Sequence, residues 1–255
     1  DVVAAKLLEG RIAVIVDGTP LVLTVPFLFV EYFQANEDYY VNFYFASVNR
    51  FLRILGFILT TTLPAFYSAL VTFHQEMIPT PLLLSIASAR RGVPLPTALE
   101  LFLLLVIFES LREAGSRVPT GIGQTLSIVG ALVLGQAAVE AKIVSAPVVI
   151  VVALTAINNL MMPRITSTFV IMRIVFLLLA SIWGLYGLIF GIIGFLLHLC
   201  ELRSFGIPYM LHLTSFEPDD FKDTLIRLPW RYMKLRPKLI TENNRVRQSS
   251  KGKKT

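Results

Sequence analysis

Apolar and polar positions divide the chain into a mixed beginning, a long apolar middle and a polar end. Asp1 to Glu9 reads as the end of a short helix. Arg11-Ile-Ala-Val-Ile-Val-Asp17 and Pro20-Leu-Val-Leu-Thr-Val25 are β-rich runs, and Asp17-Gly18 with Thr19 lies between them, which predicts a β-hairpin. Phe27 to Phe45 is aromatic-rich. Tyr32, Phe33, Tyr39, Tyr40, Phe43, Tyr44 and Phe45 suit a membrane-interface belt, or equally the packing of a small soluble domain.

From there the periodicity is helical and the runs are long. Phe51 to Phe73 exceeds the ~20 apolar residues that cross a bilayer, with Arg50 and Arg53 at its start and Pro64 inside it. Leu82 to Ala89 is too short to span, and Pro79, Pro81, Pro94 and Pro96 bracket it, which predicts a re-entrant or interfacial half-helix. Thr97 to Glu113, Gly121 to Lys142 and Ser145 to Met162 are further candidate spans. Ser167 to Cys200 is about 51 Å long as one helix, against a hydrocarbon layer of about 30 Å. A break near Gly184-Leu-Tyr-Gly187 resolves that excess into two spans, with Gly187 and Gly191 as a close-packing pair. The expected fold is therefore mainly α and polytopic: four to six membrane helices, a half-helix and a short N-terminal hairpin. The expected divisions are 1–45 (the end of a soluble or interfacial domain), 46–204 (the membrane domain) and 205–255 (a basic cytoplasmic tail).

Two groups of residues carry candidate chemistry. Gly121 to Lys142 is rich in Gly, Ala and Ser, which lets membrane helices approach closely. On it, Thr125, Val129, Val133, Gln136 and Glu140 form one stripe, polar at both ends and apolar in the middle. A ring of such helices would make two aqueous mouths around a constriction that gates by dewetting. The alternative is that Gln136 and Glu140 only hydrogen-bond a neighbouring helix. The second group is Glu100, Glu109, Arg112 and Glu113, ionised groups on a span, of which the last three share a face. They read either as charges along an ion pathway or as an arginine–carboxylate lock between helices.

Composition narrows the classes. The 255 residues are 55% hydrophobic and 16% charged, with a mean hydropathy of +0.69. A soluble enzyme of this size could not bury so much apolar surface, and a disordered chain would be polar. Residues 221–255 hold eleven Lys or Arg and two acids, so the basic character belongs to the tail, which fits anionic lipid on the cytoplasmic side and lacks a nucleic-acid reader motif. Cys200 is alone, and His74, His198 and His212 are scattered, so no metal spacing arises. The chain has no phosphate loop or nucleophile elbow. The expectation is a non-enzyme without cofactor: a channel, with a secondary transporter or a non-conducting scaffold as alternatives. Because the chain opens on Asp1 without a signal-peptide pattern, an N-terminal portion is expected to be missing.

An ordered set of motifs adds to this. Leu8-Glu-Gly-Arg-Ile-Ala-Val-Ile-Val-Asp-Gly-Thr-Pro20 is followed by Glu37-Asp-Tyr-Tyr40 and Ile78-Pro-Thr-Pro-Leu-Leu-Leu-Ser-Ile-Ala87. Phe108-Glu-Ser-Leu-Arg-Glu-Ala-Gly115, Val133-Leu-Gly-Gln-Ala-Ala-Val-Glu-Ala141 and Ser145-Ala-Pro147 come next. Together they resemble the GerA family, the A subunits of bacterial spore germinant receptors, including the SpoVAF branch. The resemblance implies the spore inner membrane and a homo-oligomer, a pentamer, that conducts monovalent cations during germination. It implies a transporter-like B subunit and a lipoprotein C subunit as partners of a receptor, or a different small membrane partner for a SpoVAF-like chain. It also favours the pore-lining reading of the Thr125–Glu140 stripe.

Overall fold

A computed structural model describes residues 2–117, 130, 133–211, 227 and 229. The fold is mainly helical. It forms two compact units, residues 1–55 with 195–255, and residues 56–194.

In the first unit, α1 (Val2–Leu8) leads into β1 (Ile12–Ile15) and β2 (Val22–Val25). The strands pair antiparallel, Ile12 with Val25 and Ile15 with Val22, so the hairpin forms where the apolar runs and the Asp17-Gly18 turn place it. The Asp17 carboxylate accepts the Gly18 amide at 3.0 Å, and the Thr19 hydroxyl donates to the Val16 carbonyl at 3.1 Å. Two short 3-10 turns, Phe29–Tyr32 and Asn36–Tyr39, follow. Leu28, Phe29, Val30 and Phe33 are buried there. Tyr32 and Tyr39 are half-buried, while Tyr40, Tyr44 and Phe45 are exposed, so the aromatic stretch divides between packing and surface. A small ribbon, β3 (Arg203–Ser204) and β4 (Ile207–Pro208), packs nearby: the Phe29 amide donates to the Tyr209 carbonyl at 3.1 Å.

α2 (Phe43–Phe73) is a continuous helix with Pro64 buried inside it. In the second unit come α3 (Thr80–Ala89) and α4 (Thr97–Ser116), helical residues 133–140 (α5) and α6 (Ala146–Asn159). α3 is the short helix expected between the prolines. The core sets Leu101, Leu104 and Leu105 of α4 against Val144, Val148, Val151 and Val152 beside and within α6, with Leu177 closing it.

α7 (Thr166–Glu201) is two helices meeting at Gly184, whose φ of 62° and ψ of −140° break the helix. A Cβ on Gly187 would lie 2.2 Å from the Leu179 carbonyl oxygen, and one on Gly191 would lie 2.9 Å from Leu179 and 3.0 Å from Phe176. In a straight helix, positions eight apart are about 12 Å distant. The second half therefore folds back on the first: Gly187 lies against the Leu179 backbone, and Gly191 against the Leu179 and Phe176 side chains. The break expected at Gly184 is present. α2 and the segment Pro163–Glu201 are long and apolar enough to cross a membrane. Large apolar side chains such as Ile182, Trp183, Phe190 and Leu197 remain exposed along α7, as on a lipid-facing surface.

Candidate functional site

The four charged positions expected on the span at α4 separate into two places. Glu100, in the first turn of α4, is fully buried. One carboxylate oxygen accepts both the Ser145 amide and the Ser145 hydroxyl at 2.7 Å, and the other faces Arg90 Nη2 at 3.5 Å. Ser145 is the N-cap of α6, so a negative charge sits where that helix presents unpaired N–H groups. Glu100 thereby ties the C-cap of α3 and the start of α6 to α4.

Glu109, Arg112 and Glu113 lie one to two turns before the end of α4 and share one face. Arg112 donates to Glu109 through Nε at 2.8 Å and also through Nη2. Glu113 pairs instead with exposed Arg117 at 2.8 Å. All three line a cleft of about 390 Å³ between α4 and the first half of α7. The opposite wall carries Arg173, which the reading of spans passed over. Its signal was present: Arg173 is the lone Lys, Arg, Asp or Glu between Arg164 and Glu201, and a charge within an apolar span is costly enough to demand a reason. Arg173 is 3% exposed, and its Nε and Nη2 have no hydrogen-bond partner among the described residues. Oε2 of Glu109 is likewise buried and has no partner among the described residues. The cleft is apolar where Phe102, Leu105 and Val106 line it and polar toward the C-terminal end of α4.

Of the stripe, Thr125 and Val129 lie outside the described residues. Val133 is 56% exposed, and Gln136 and Glu140 are exposed on the same face of α5. The opposite face packs inward: Gly135 is buried and lies against Val149, and Ala138 and Val139 pack on the α4–α6 core. Small residues on the inward face permit that close approach.

A third cluster stands in the first unit. Asp38 accepts a forked pair from Arg53 at 2.7 and 2.8 Å, Arg50 Nε at 3.2 Å and the Ala35 amide at 3.2 Å. Arg50 and Arg227 both lie over the Tyr39 ring. Burial pushes the Asp38 carboxyl up, but the hydrogen bonds from Arg53, Ala35 and Arg50 outweigh it and hold its pKa below the ordinary value. Glu31 behaves alike: burial opposes ionisation, and Lys6 and Arg11 overcome it. Arg50 and Arg53, expected to mark the cytoplasmic start of a span, are thus also the counter-ions of a buried aspartate. No group of three or more metal-binding side chains occurs among the described residues.

These features define a mainly helical chain with two segments long and apolar enough to cross a membrane and with charged residues held in specific partnerships. The chain belongs to the Bacillus/Clostridium GerA spore germination protein family, whose pattern matches residues 1–239. It is 51% identical over 250 residues to spore germination protein KA of Bacillus subtilis (strain 168), covering 97% of this chain and 46% of that protein. It is 47% identical to the uncharacterized membrane protein YfkQ of the same organism, covering 96% and 48%. It is 42% identical to spore germination protein GerLA of Bacillus cereus, covering 97% and 51%. The chain spans about half the length of these relatives. No solved structure matches it.

Proposed function

We propose that this chain is the membrane portion of an oligomeric cation channel of the germination apparatus, assembled around α5 in the spore inner membrane. The observation that carries the reading is the two-faced character of α5. Gly135, Ala138 and Val139 pack inward, while Val133, Gln136 and Glu140 share the face that the described residues leave exposed. Copies arranged with that face inward would present a ring of valines at Val133 and a ring of carboxylates at Glu140. An apolar ring gives ions nothing in exchange for their hydration shell, whereas a carboxylate ring concentrates cations at a mouth. A transporter-like B subunit and a lipoprotein C subunit are the partners this reading carries for a receptor.

The experiment is potassium flux from liposomes holding the purified chain. Val133→Ala should wet the neck and give leak without stimulus. Val133→Phe should close it with assembly intact. Glu140→Gln should lower cation conductance without opening the gate. Normal assembly with unchanged flux in both Val133→Ala and Val129→Ala would remove α5 from the pore. A silent oligomer would indicate a scaffold, and a monomer moving solute against a gradient a transporter.

A further inference from the structure

We propose that the cleft between α4 and the first half of α7 is a binding site for an anionic phospholipid, with Arg173 as its headgroup anchor. This goes beyond conduction and stands whether or not α5 lines a pore.

The argument begins with an unmet demand. Arg173 is 97% withdrawn from solvent, yet its Nε and Nη2 donate to nothing among the described residues. A buried guanidinium without acceptors is costly, because it has given up water for no partner. The carboxylates around it are partly committed, Glu109 keeping a buried Oε2 without a partner among the described residues. Glu109 takes Arg112 through Oε1, and Glu113 takes Arg117. Three guanidinium groups therefore face two carboxylates at this end of α4, and the remaining positive charge sits in the cleft wall. A planar donor fork of this kind matches the oxygens of a phosphate.

The shape of the cleft selects the source of that phosphate. One end is apolar, with Phe102 and Val106 on α4, and Val170 and Ile174 of α7 flank Arg173. Its other end carries Ser110, Arg112 and Glu113. Polarity thus changes along the cleft as it does along a lipid, from acyl chain to headgroup. A volume of about 390 Å³ admits a headgroup and the first part of a chain, not a whole lipid. Basic pockets between membrane helices bind acidic headgroups in this manner. The site is separate from the basic tail after residue 221, whose attraction to a charged surface needs no pocket.

The test is native mass spectrometry of the full chain released from nanodiscs containing equal phosphatidylglycerol and phosphatidylcholine, with flux measured separately. Phosphatidylglycerol should be retained at least about fivefold over phosphatidylcholine. Arg173→Met should reduce that retention about tenfold, the loss expected when a charged hydrogen-bonding anchor is removed. Ile174→Trp keeps Arg173 and fills the apolar wall, and it too should expel lipid while the secondary structure is retained. Equal retention of both lipids by the unaltered chain would overturn the proposal, as would undiminished retention in Arg173→Met. Displacement of the lipid by millimolar glycerol phosphate would overturn it as well, since the site would then recognise free phosphate.

Discussion

Asp38 illustrates how single residues are held. It is buried, and Arg53, Arg50 and the Ala35 amide satisfy its oxygens. Removing one partner from a buried charge pair costs roughly 3–5 kcal/mol, because the other charges stay buried and uncompensated. Asp38→Asn should therefore lower stability by about that amount in denaturant unfolding of the micelle-solubilised chain. The pH dependence has a definite sign. Its folded pKa lies below the unfolded value of about 3.9, so its contribution is complete above that value and is lost as pH falls through the folded pKa. Glu31 adds to the same acid limb. Asp38→Asn should flatten that limb; an unchanged acid profile would show that this cluster does not set it. The acids and the arginines could be read from the sequence as charges, but not as partners: Asp38 and Arg53 are fifteen positions apart and meet only because the 3-10 turn at Asn36–Tyr39 faces the first turns of α2.

Among the elements, the reversal inside α7 makes the sharpest prediction. Gly187 stands against a backbone carbonyl, which cannot move aside as a side chain can. Gly187→Ala should cost at least the 1–3 kcal/mol typical of overpacking. Gly191→Ala meets only the Leu179 and Phe176 side chains and should cost less. Gly194→Ala meets nothing and should be neutral, or stabilise by up to about 1 kcal/mol through helix propensity. Thermal unfolding of the three variants checks the order, and equal effects at 187 and 194 would exclude the hairpin. Length against bilayer thickness made the break legible in advance, and the glycines marked where. The particular contacts, Gly187 on Leu179 and Gly191 on Phe176, depend on how far the chain turns at Gly184, which no local pattern encodes.

For the whole molecule the same reversal decides topology. If α7 crosses the membrane twice, it returns the chain to the side from which it came. Native Cys200 is exposed, and Ser167 is exposed near the start of α7, so the two can be compared directly. Cys200, and Ser167→Cys in a Cys200→Ser background, should be labelled from one side by an impermeant maleimide. Ser249→Cys, within the basic tail, should share the cytoplasmic side by the positive-inside tendency. Labelling of Ser167→Cys and Cys200 from opposite faces would mean a single tilted crossing instead.

What the sequence determined by itself was whatever depends on near neighbours along the chain. Hydrophobic period and run length placed the hairpin, the short α3, the helices and the break at Gly184. Composition pointed toward a membrane protein, and the ordered motifs pointed to its family. Helical spacing alone put Val133, Gln136 and Glu140 on one face, and Glu109, Arg112 and Glu113 on another. Tertiary structure decided which charge meets which. It sent Glu100 to the N-terminus of α6, forty-five positions away, rather than to the cluster it shares a helix with. It brought Arg173 across to the α4 face, making a cleft where the sequence showed only a lone arginine. The reason is physical: a buried ion must find an opposite charge or a donor, and the partner is whichever group the packing of the helices carries within reach, however distant it is in the chain.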